Sequence, residues 1–575
     1  MDYDLVVRGG LIVDGSGTPG YRGDVAVVGG RIVEVGKVAG SGRTELDADG
    51  LVVAPGFIDG HTHMDAQIFW DELGSSPCWQ GVTTAVMGNC GYTLAPVRAD
   101  QRKLVSINLE RAEDIPAEAL AEGVPWTWST FAEYLDVVDA LPKGINYAGS
   151  IGHSALRILA MGERAFDAVA TEDDMVVMER ELSDALRAGA MGLTTSRNKG
   201  HTTSDDRPVA SRAASWDELT RLISLVGRES SGNFQMGGDE GASIDEHLRR
   251  LQQLAVSTGV PVVNNTGDPN AIPLFDETVT RGGQMWILTH CRGFSVLQSF
   301  RSRLSFDFLP GSEWAHVRSR PLEEQRQLLQ DPDVRARLVH AAHHGTYQPI
   351  SSADPFKPDF EKIFTMSSSY LPTVSVAEEA RRRGVDPVEV MIDTALADDF
   401  NTIFVQSFWD TSARAFYARE NEDKFATLLR NPNTAMTFTD AGAHQGQVSD
   451  CSIQTHLLAY WVRERQLFTV EEAVRMITHQ PAKVWHLHDR GLLASGYAAD
   501  ITVFDAKTVA PEIPRVVNDV PGGASRFEQR AVGYHATIVN GQVFTADGKP
   551  TEARAGRLLR AGRARSTRGG RFTDD

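Results

Sequence analysis

Ala54-Pro55-Gly56-Phe57-Ile58-Asp59-Gly60-His61-Thr62-His63 is the stretch on which the reading of this chain turns. Phe57 and Ile58 form the apolar end of a short β-strand. In an extended chain residues i and i+2 project to one side, so His61 and His63 point together. Two imidazoles need that geometry to hold one divalent metal. The competing reading is two unrelated surface histidines at a strand end. Position favours ligands, because this strand opens a region of alternating strands and helices, and a parallel barrel builds its active site where its strands end.

Upstream of this stretch, residues 1–56 read as short strands separated by glycine turns. Leu5-Val6-Val7-Arg8 precedes Gly9-Gly10, and Asp24-Val25-Ala26-Val27-Val28 precedes Gly29-Gly30, a hairpin-like texture. Residues 486–556 share it, with strands at Ile501-Thr502-Val503-Phe504 and Ala536-Thr537-Ile538-Val539. A β-rich beginning and a β-rich end predict one small β-domain assembled from both termini. Between them, residues 57–485 alternate apolar strands with helical patterns such as Asp174–Ala188, Trp216–Arg228 and Ile244–Thr258, as a parallel α/β unit requires. Strands ending near Gly60, Gly88, Gly152, Thr195, Met236, Asn265, Thr289 and Asp440 predict a (β/α)8 barrel of the TIM type. The interval at about 292–433 is too long for one crossover and predicts an insertion of extra helices over the mouth of the barrel. Residues 557–575, rich in Arg, Gly and Ser, read as a flexible basic tail.

The 575 residues suit one large barrel and a smaller companion. A formal net charge of −19 argues against nucleic acid as a partner, since a polyanion requires a basic surface. No apolar stretch approaches the length of a membrane span, and Met1-Asp2-Tyr3-Asp4-Leu5 lacks the features of a signal peptide. Four cysteines, Cys78, Cys90, Cys291 and Cys451, form no disulfide framework and point to a reducing, cytoplasmic compartment. A small-molecule substrate is expected, and association into a homo-oligomer is left open.

Taken together, the β-rich prelude, the Pro-Gly-Phe-Ile-Asp-Gly-His-Thr-His segment and the late Gly496-Tyr497-Ala498-Ala499-Asp500-Ile501 resemble the amidohydrolase superfamily. Within it the chain is most similar to the D-aminoacylase (N-acyl-D-amino-acid deacylase) branch. Gly88-Asn89-Cys90-Gly91, Gly152-His153-Ser154-Ala155-Leu156-Arg157 and Thr439-Asp440-Ala441-Gly442-Ala443-His444 carry that likeness. The resemblance implies a barrel with a β-sandwich and hydrolysis of an amide bond. It also implies Cys90 as a zinc ligand, and Asp440 as a metal contact that takes the proton from the attacking water. For each there is a plain alternative: a buried small side chain for Cys90 and an N-cap on a turn for Asp440.

At three places the chain departs from the branch. The fifth-strand histidine position is matched by Met236, and Asn264-Asn265-Thr266 stands where the sixth strand carries another. Thr194-Thr195-Ser196-Arg197 stands in place of the branch's fourth-strand Tyr-Glu-Pro segment. Thioether and amide are poor ligands beside imidazole. The remaining set of His61, His63 and Asp440, with Cys90, predicts one zinc per chain with a position open to water. His153, Arg197, His201 and His290 are candidate substrate contacts, and His444 is a candidate partner orienting Asp440. The expected activity is metal-dependent hydrolysis of an amide or related C–N bond, with an N-acyl amino acid as one substrate class. A decarboxylase, lyase or cyclase reaction on the same site, or a non-catalytic scaffold, are the alternatives.

Overall fold

The glycine-punctuated runs at the two ends of the chain pair with one another. In the computed structural model, which describes residues 3–293, 295–348, 357–366, 374–407, 419–444, 446 and 451–562, they form one nine-stranded sheet. Val52–Pro55 lies antiparallel to Ile501–Phe504, with Ala54 opposite Thr502. Tyr3–Ile12 and Tyr21–Val28 continue the sheet on one side, Tyr534–Val539 and Gln542–Ala546 on the other. Alternation places Leu5, Val7, Val25 and Val27 in one buried cluster and Val6 with Ala26 in another, so both faces of these strands are covered.

Val52–Pro55 leads straight into the barrel. Its eight strands are β1 (Phe57–Asp59), β2 (Val82–Met87), β3 (Asn146–Gly149, continued by Ile151–Gly152), β4 (Gly192–Arg197), β5 (Asn233–Asp239), β6 (Val262–Asn265), β7 (Met285–Thr289) and β8 (Thr434–Met436). Neighbours pair in parallel from β1 to β8. A parallel bridge between Thr62 and Ala441 closes the ring. All eight expected strand ends fall at or within a few residues of these termini.

Alternation along the strands sorts two layers. Ile58, Val86, Ala148, Val263, Leu288 and Ala435 gather with Val484 and Trp485, which floor the barrel. Phe234, Met236, Val262 and Ile287 instead join the larger core with Leu219, Leu222, Leu251 and Leu254 of the surrounding helices. Those helices start where the sequence supplies caps. Thr171, Ser215 and Ser243 each accept an N–H from the third residue of the helix that follows.

The long interval after β7 holds helices at Glu313–Arg318, Leu322–Gln330, Pro332–His344, Val376–Arg383 and Pro387–Ala397. It also holds a three-stranded antiparallel sheet that the sequence reading did not anticipate, formed by Ser295–Gln298, Ile363–Thr365 and Phe404–Ser407. Phe306, Trp314, Leu338, Met391 and Phe404 give this insertion a core of its own. An ion pair of 2.7 Å from Arg303 to Asp114 ties it to the barrel side of the site.

The tail departs from expectation. Leu558–Leu559 runs parallel to β3, with Leu558 opposite Tyr147. The Tyr147 N–H donates to the Arg557 carbonyl at 2.9 Å, and the Ala561 N–H to the Gly189 carbonyl at 2.9 Å. The cause is an open edge. β4 meets β3 only at Ile151 and Gly152, which leaves the lower half of β3 unpaired on that side, and unpaired strand edges attract another strand. The rest of the expected tail lies outside the described residues. Among the described residues, no helix is long and apolar enough to cross a membrane.

Candidate metal centre

Closure of the barrel brings the two ends of the motif reading together. Strand β1 stops at Asp59, and Thr62 makes the bridge to Ala441. The His63 N–H donates to the Ala441 carbonyl at 2.7 Å and the Asp440 N–H to the His61 carbonyl at 3.2 Å. Residues on either side of Thr62 therefore turn inward together, beside Asp440. Gly442 sits at φ +95° with its α-carbon so close to this strand that a β-carbon would lie 2.4 Å from the His63 carbonyl oxygen. Only glycine fits there.

His61 Nε2 lies 3.2 Å from Asp440 Oδ1, and His63 Nε2 lies 3.3 Å from the same oxygen. Cys90 Sγ is 3.6 Å from His61 Nε2. Donor atoms of His61, His63 and Cys90 all fall within 4.8 Å of one another. In a tetrahedral zinc site with ordinary bond lengths, two N or O ligands stand about 3.3 Å apart and an N–S pair about 3.6 Å apart. The separations of both imidazoles from Asp440 and of Cys90 from His61 match those edges, while the group whose donors all lie within 4.8 Å of one another holds His61, His63 and Cys90 without Asp440. Carboxylate, imidazole and thiolate together also suit a divalent ion of zinc's intermediate softness, so these residues fit a metal.

Electrostatics among the protein groups alone differ from residue to residue in this centre. Burial drives the His61 imidazole down to about 4, so it is neutral with a lone pair to give. Burial opposes charge on His63 as well, but the adjacent Glu113 and Asp440 carboxylates raise it well above the ordinary histidine value. Asp440 lies well below the carboxylate range, because the two imidazoles outweigh its burial. The Cys90 thiol is pushed by burial to about 11, and a coordinating cation reverses exactly this kind of penalty by holding a thiolate. Beneath the centre, buried Asp59 accepts a hydrogen bond from Thr439, and Asp65 accepts the Gly88 N–H at 2.9 Å.

Residues 44–545 match the Amidohydrolase family over most of the chain. The chain belongs to this family. It is 28% identical to a D-aminoacylase of Alcaligenes xylosoxydans xylosoxydans over 97% of each chain. It is 28% identical to an N-acyl-D-aspartate deacylase of the same organism, over 98% of this chain and 96% of the relative. Among solved structures, the N-acyl-D-glutamate deacylase of Bordetella bronchiseptica, complexed with zinc and a phosphonate inhibitor, superposes with a TM-score of 0.62. It is 24% identical and is covered completely by 98% of this chain, a likeness of fold. The protein is thus a metal-dependent amidohydrolase acting on C–N bonds other than ordinary peptide bonds, with a TIM barrel and a β-sandwich.

In this amidohydrolase several expected site residues sit elsewhere. Met236 points outward into the helix-side core, because alternation along β5 sends it the way of Phe234. The side chain turned toward the centre is Gln235, whose Oε1 accepts the Cys90 N–H at 3.1 Å. On β6, Asn264 also faces outward, donating to the Met236 carbonyl at 2.9 Å and lying 3.2 Å from His247 Nε2. Asn265 is the alternate residue. His153, expected to contact substrate, is buried between Thr195 Oγ1 at 3.0 Å and Glu218 Oε1 at 2.8 Å. Arg157 shares that glutamate, which makes the group a support behind the barrel wall. Arg197 pairs with Asp239 at 3.3 Å and lies over the Trp216 ring, so its charge is already matched. His444, expected beside Asp440, lies nearer Glu113, with 3.9 Å between Nε2 and Oε2.

His201 and His290 remain near the centre. The Tyr92 ring packs 5.5 Å from that of His201, whose Nδ1 lies 2.9 Å from Ser196 Oγ. His290 is set off from His61 by Phe438, whose ring centroid is 4.7 Å from one imidazole and 4.1 Å from the other. Glu113 was missed. It lies in Glu110-Arg111-Ala112-Glu113-Asp114, a charged run at a helix end that reads as solvated surface, yet it is buried with Oε2 3.3 Å from His63 Nε2. Nothing in the local sequence marks it.

Proposed function

We propose that the chain holds one zinc ion on His61, His63, Asp440 and Cys90 and hydrolyses the amide bond of an N-acylated amino acid. The observation that carries this reading is the convergence of both imidazole Nε2 atoms on one Asp440 oxygen, at 3.2 and 3.3 Å, with the Cys90 sulfur alongside. A count of one is supported by the side chains that β5 and β6 turn inward. Gln235 and Asn265 are amides, weak ligands of zinc beside imidazole. The substrate class follows the names of the end-to-end relatives, D-aminoacylase and N-acyl-D-aspartate deacylase.

Bound there, a divalent cation supplies Lewis acidity and brings the pKa of water from about 16 toward 7. The chain's own residues do the rest. Asp440 engages the imidazoles through Oδ1, which leaves its second oxygen to accept the proton of the attacking water and return it to the departing nitrogen. Hydrolysis of the amide then yields a carboxylate and an amine.

The test combines metal analysis with isotope labelling. Purified protein is expected to carry close to one zinc per chain, and His61→Ala to lose zinc and activity together. Reaction of N-acetylated D- and L-amino acids in oxygen-18 water is expected to place label in the released acetate. A count near two contradicts the single-ion reading, and unlabelled product contradicts hydrolysis.

A further inference from the structure

The centre contains a second carboxylate that the reading above does not use. Glu113 is buried, and its Oε2 stands 3.3 Å from His63 Nε2, the same separation that Asp440 Oδ1 keeps from that nitrogen. Both oxygens approach the nitrogen that would carry the coordinate bond. Neighbouring ligands of a five-coordinate zinc stand about 3–3.5 Å apart, a range that includes this separation. A carboxylate that merely oriented the ring would instead bond the other nitrogen, Nδ1. Among the described residues His63 Nδ1 is buried without a hydrogen-bond partner, so Glu113 does not serve it.

The placement of Glu113 is built in from three directions. Its carbonyl accepts the His444 N–H, which links it to the loop that carries Asp440. Its neighbour Asp114, at φ +49°, pairs with Arg303 of the insertion at 2.7 Å. Its own N–H donates to the Leu109 carbonyl at 2.9 Å. A backbone held by helix, catalytic loop and insertion fixes where the carboxylate points, and this is how a ligand is preorganised.

We infer that Glu113 is a further ligand of the same metal ion, adding a carboxylate oxygen beside His63 Nε2. The inference rests on the metal-centre reading proposed above. Chemically it compensates the donors that β5 and β6 do not provide. Two carboxylates, two imidazoles and one thiolate form a harder and more anionic set than His61, His63, Cys90 and Asp440 alone.

Metal-free full-length protein is titrated with Zn²⁺ under a competing chelator, and with Co²⁺ while the visible absorption is recorded. Wild type, Glu113→Gln, Glu113→Asp and His61→Ala are compared after circular dichroism shows each to be folded. Glu113→Gln is expected to weaken Zn²⁺ binding by about 10-fold or more, the least that loss even of an outer-sphere partner produces. It is also expected to alter the position and intensity of the Co²⁺ bands. Glu113→Asp, which keeps the charge on a shorter stem, is expected to recover part of the affinity. A Glu113→Gln protein that binds Zn²⁺ within 2-fold of wild type, with an unchanged Co²⁺ spectrum, overturns the inference and leaves the four-residue centre standing. Wild-type protein that binds neither ion overturns the centre itself. If Glu113→Gln does not fold, the Co²⁺ spectrum of Glu113→Asp decides: bands identical to wild type count against ligation.

Discussion

Asp440 and Cys90 hold their backbones at φ +53° and +55°, in the left-handed region that costs a side-chain-bearing residue of order 1 kcal/mol or more. Such conformations persist where the surroundings over-determine them, and here both residues face the same pair of imidazoles. Asparagine tolerates this region well, so Asp440→Asn keeps the backbone and removes the charge. We expect kcat to fall by at least about 10²–10⁴-fold, the usual worth of a positioned proton acceptor, and zinc content to fall with it, read by metal analysis of the folded variant. Retention of most of the activity would show that another group moves the proton. Gly442 is the complementary case. A β-carbon there meets the His63 carbonyl oxygen at 2.4 Å, so Gly442→Ala is expected to lower both Tm and zinc content, both of which can be read on the purified variant.

At the scale of elements, alternation along β5 makes a pair of opposite predictions from adjacent residues. Met236 packs among apolar side chains on the helix side, so Met236→Leu is expected to change stability by less than about 1.5 kcal/mol and to leave kcat/KM unchanged. Gln235 accepts the Cys90 N–H, so Gln235→Leu is expected to disturb the cysteine's position and lower kcat/KM while the barrel remains folded. Equal effects from the two would contradict the assigned faces.

Behind the wall, Glu218 joins His153 and Arg157, all buried. Burial opposes the Glu218 charge, yet these two partners bring its pKa down to about 2. As pH falls, the unfolded chain therefore takes up this proton first, near the ordinary value of about 4.3. The stability it contributes is complete above about pH 5 and is lost as pH drops through about 2. Glu218→Gln is expected to cost roughly 3–5 kcal/mol at neutral pH, because it leaves Arg157 buried without its charge partner. It should also flatten the acid limb of urea midpoints measured between pH 5 and 3. A parallel limb would show that other groups set the acid response.

Across the whole molecule, the two domains and the chain end are interlocked. The sheet that joins the termini is continuous through Val52–Pro55 and Ile501–Phe504, and Val52–Pro55 runs directly into β1 and its histidines. Leu558–Leu559 then returns to the barrel and completes the open edge of β3. Leu558 is buried, so Leu558→Asp places an unpaired carboxylate against β3. It is expected to lower Tm by about 3 °C or more and to raise the tendency to associate through the exposed strand edge. An unchanged Tm would mean that the added strand contributes nothing to the barrel.

Order along the chain was enough to read the barrel, the β-domain from two termini, and His61 and His63 as a converging pair. These depend on local periodicity, on glycine punctuation and on a two-residue spacing, all of which are written in sequence. Asp440 and Cys90 were singled out only by the family resemblance of the short motifs that hold them. Which of Gln235 or Met236 faces the His61–His63 centre was not legible, since a strand's register relative to its neighbours is set only when the ring closes and a shift of one residue exchanges the faces. Glu113, the buried His153–Glu218–Arg157 group and the docking of Leu558 were likewise decided by tertiary structure. A charged side chain reads as surface until distant segments enclose it, and a strand end reads as tail until an unpaired edge receives it.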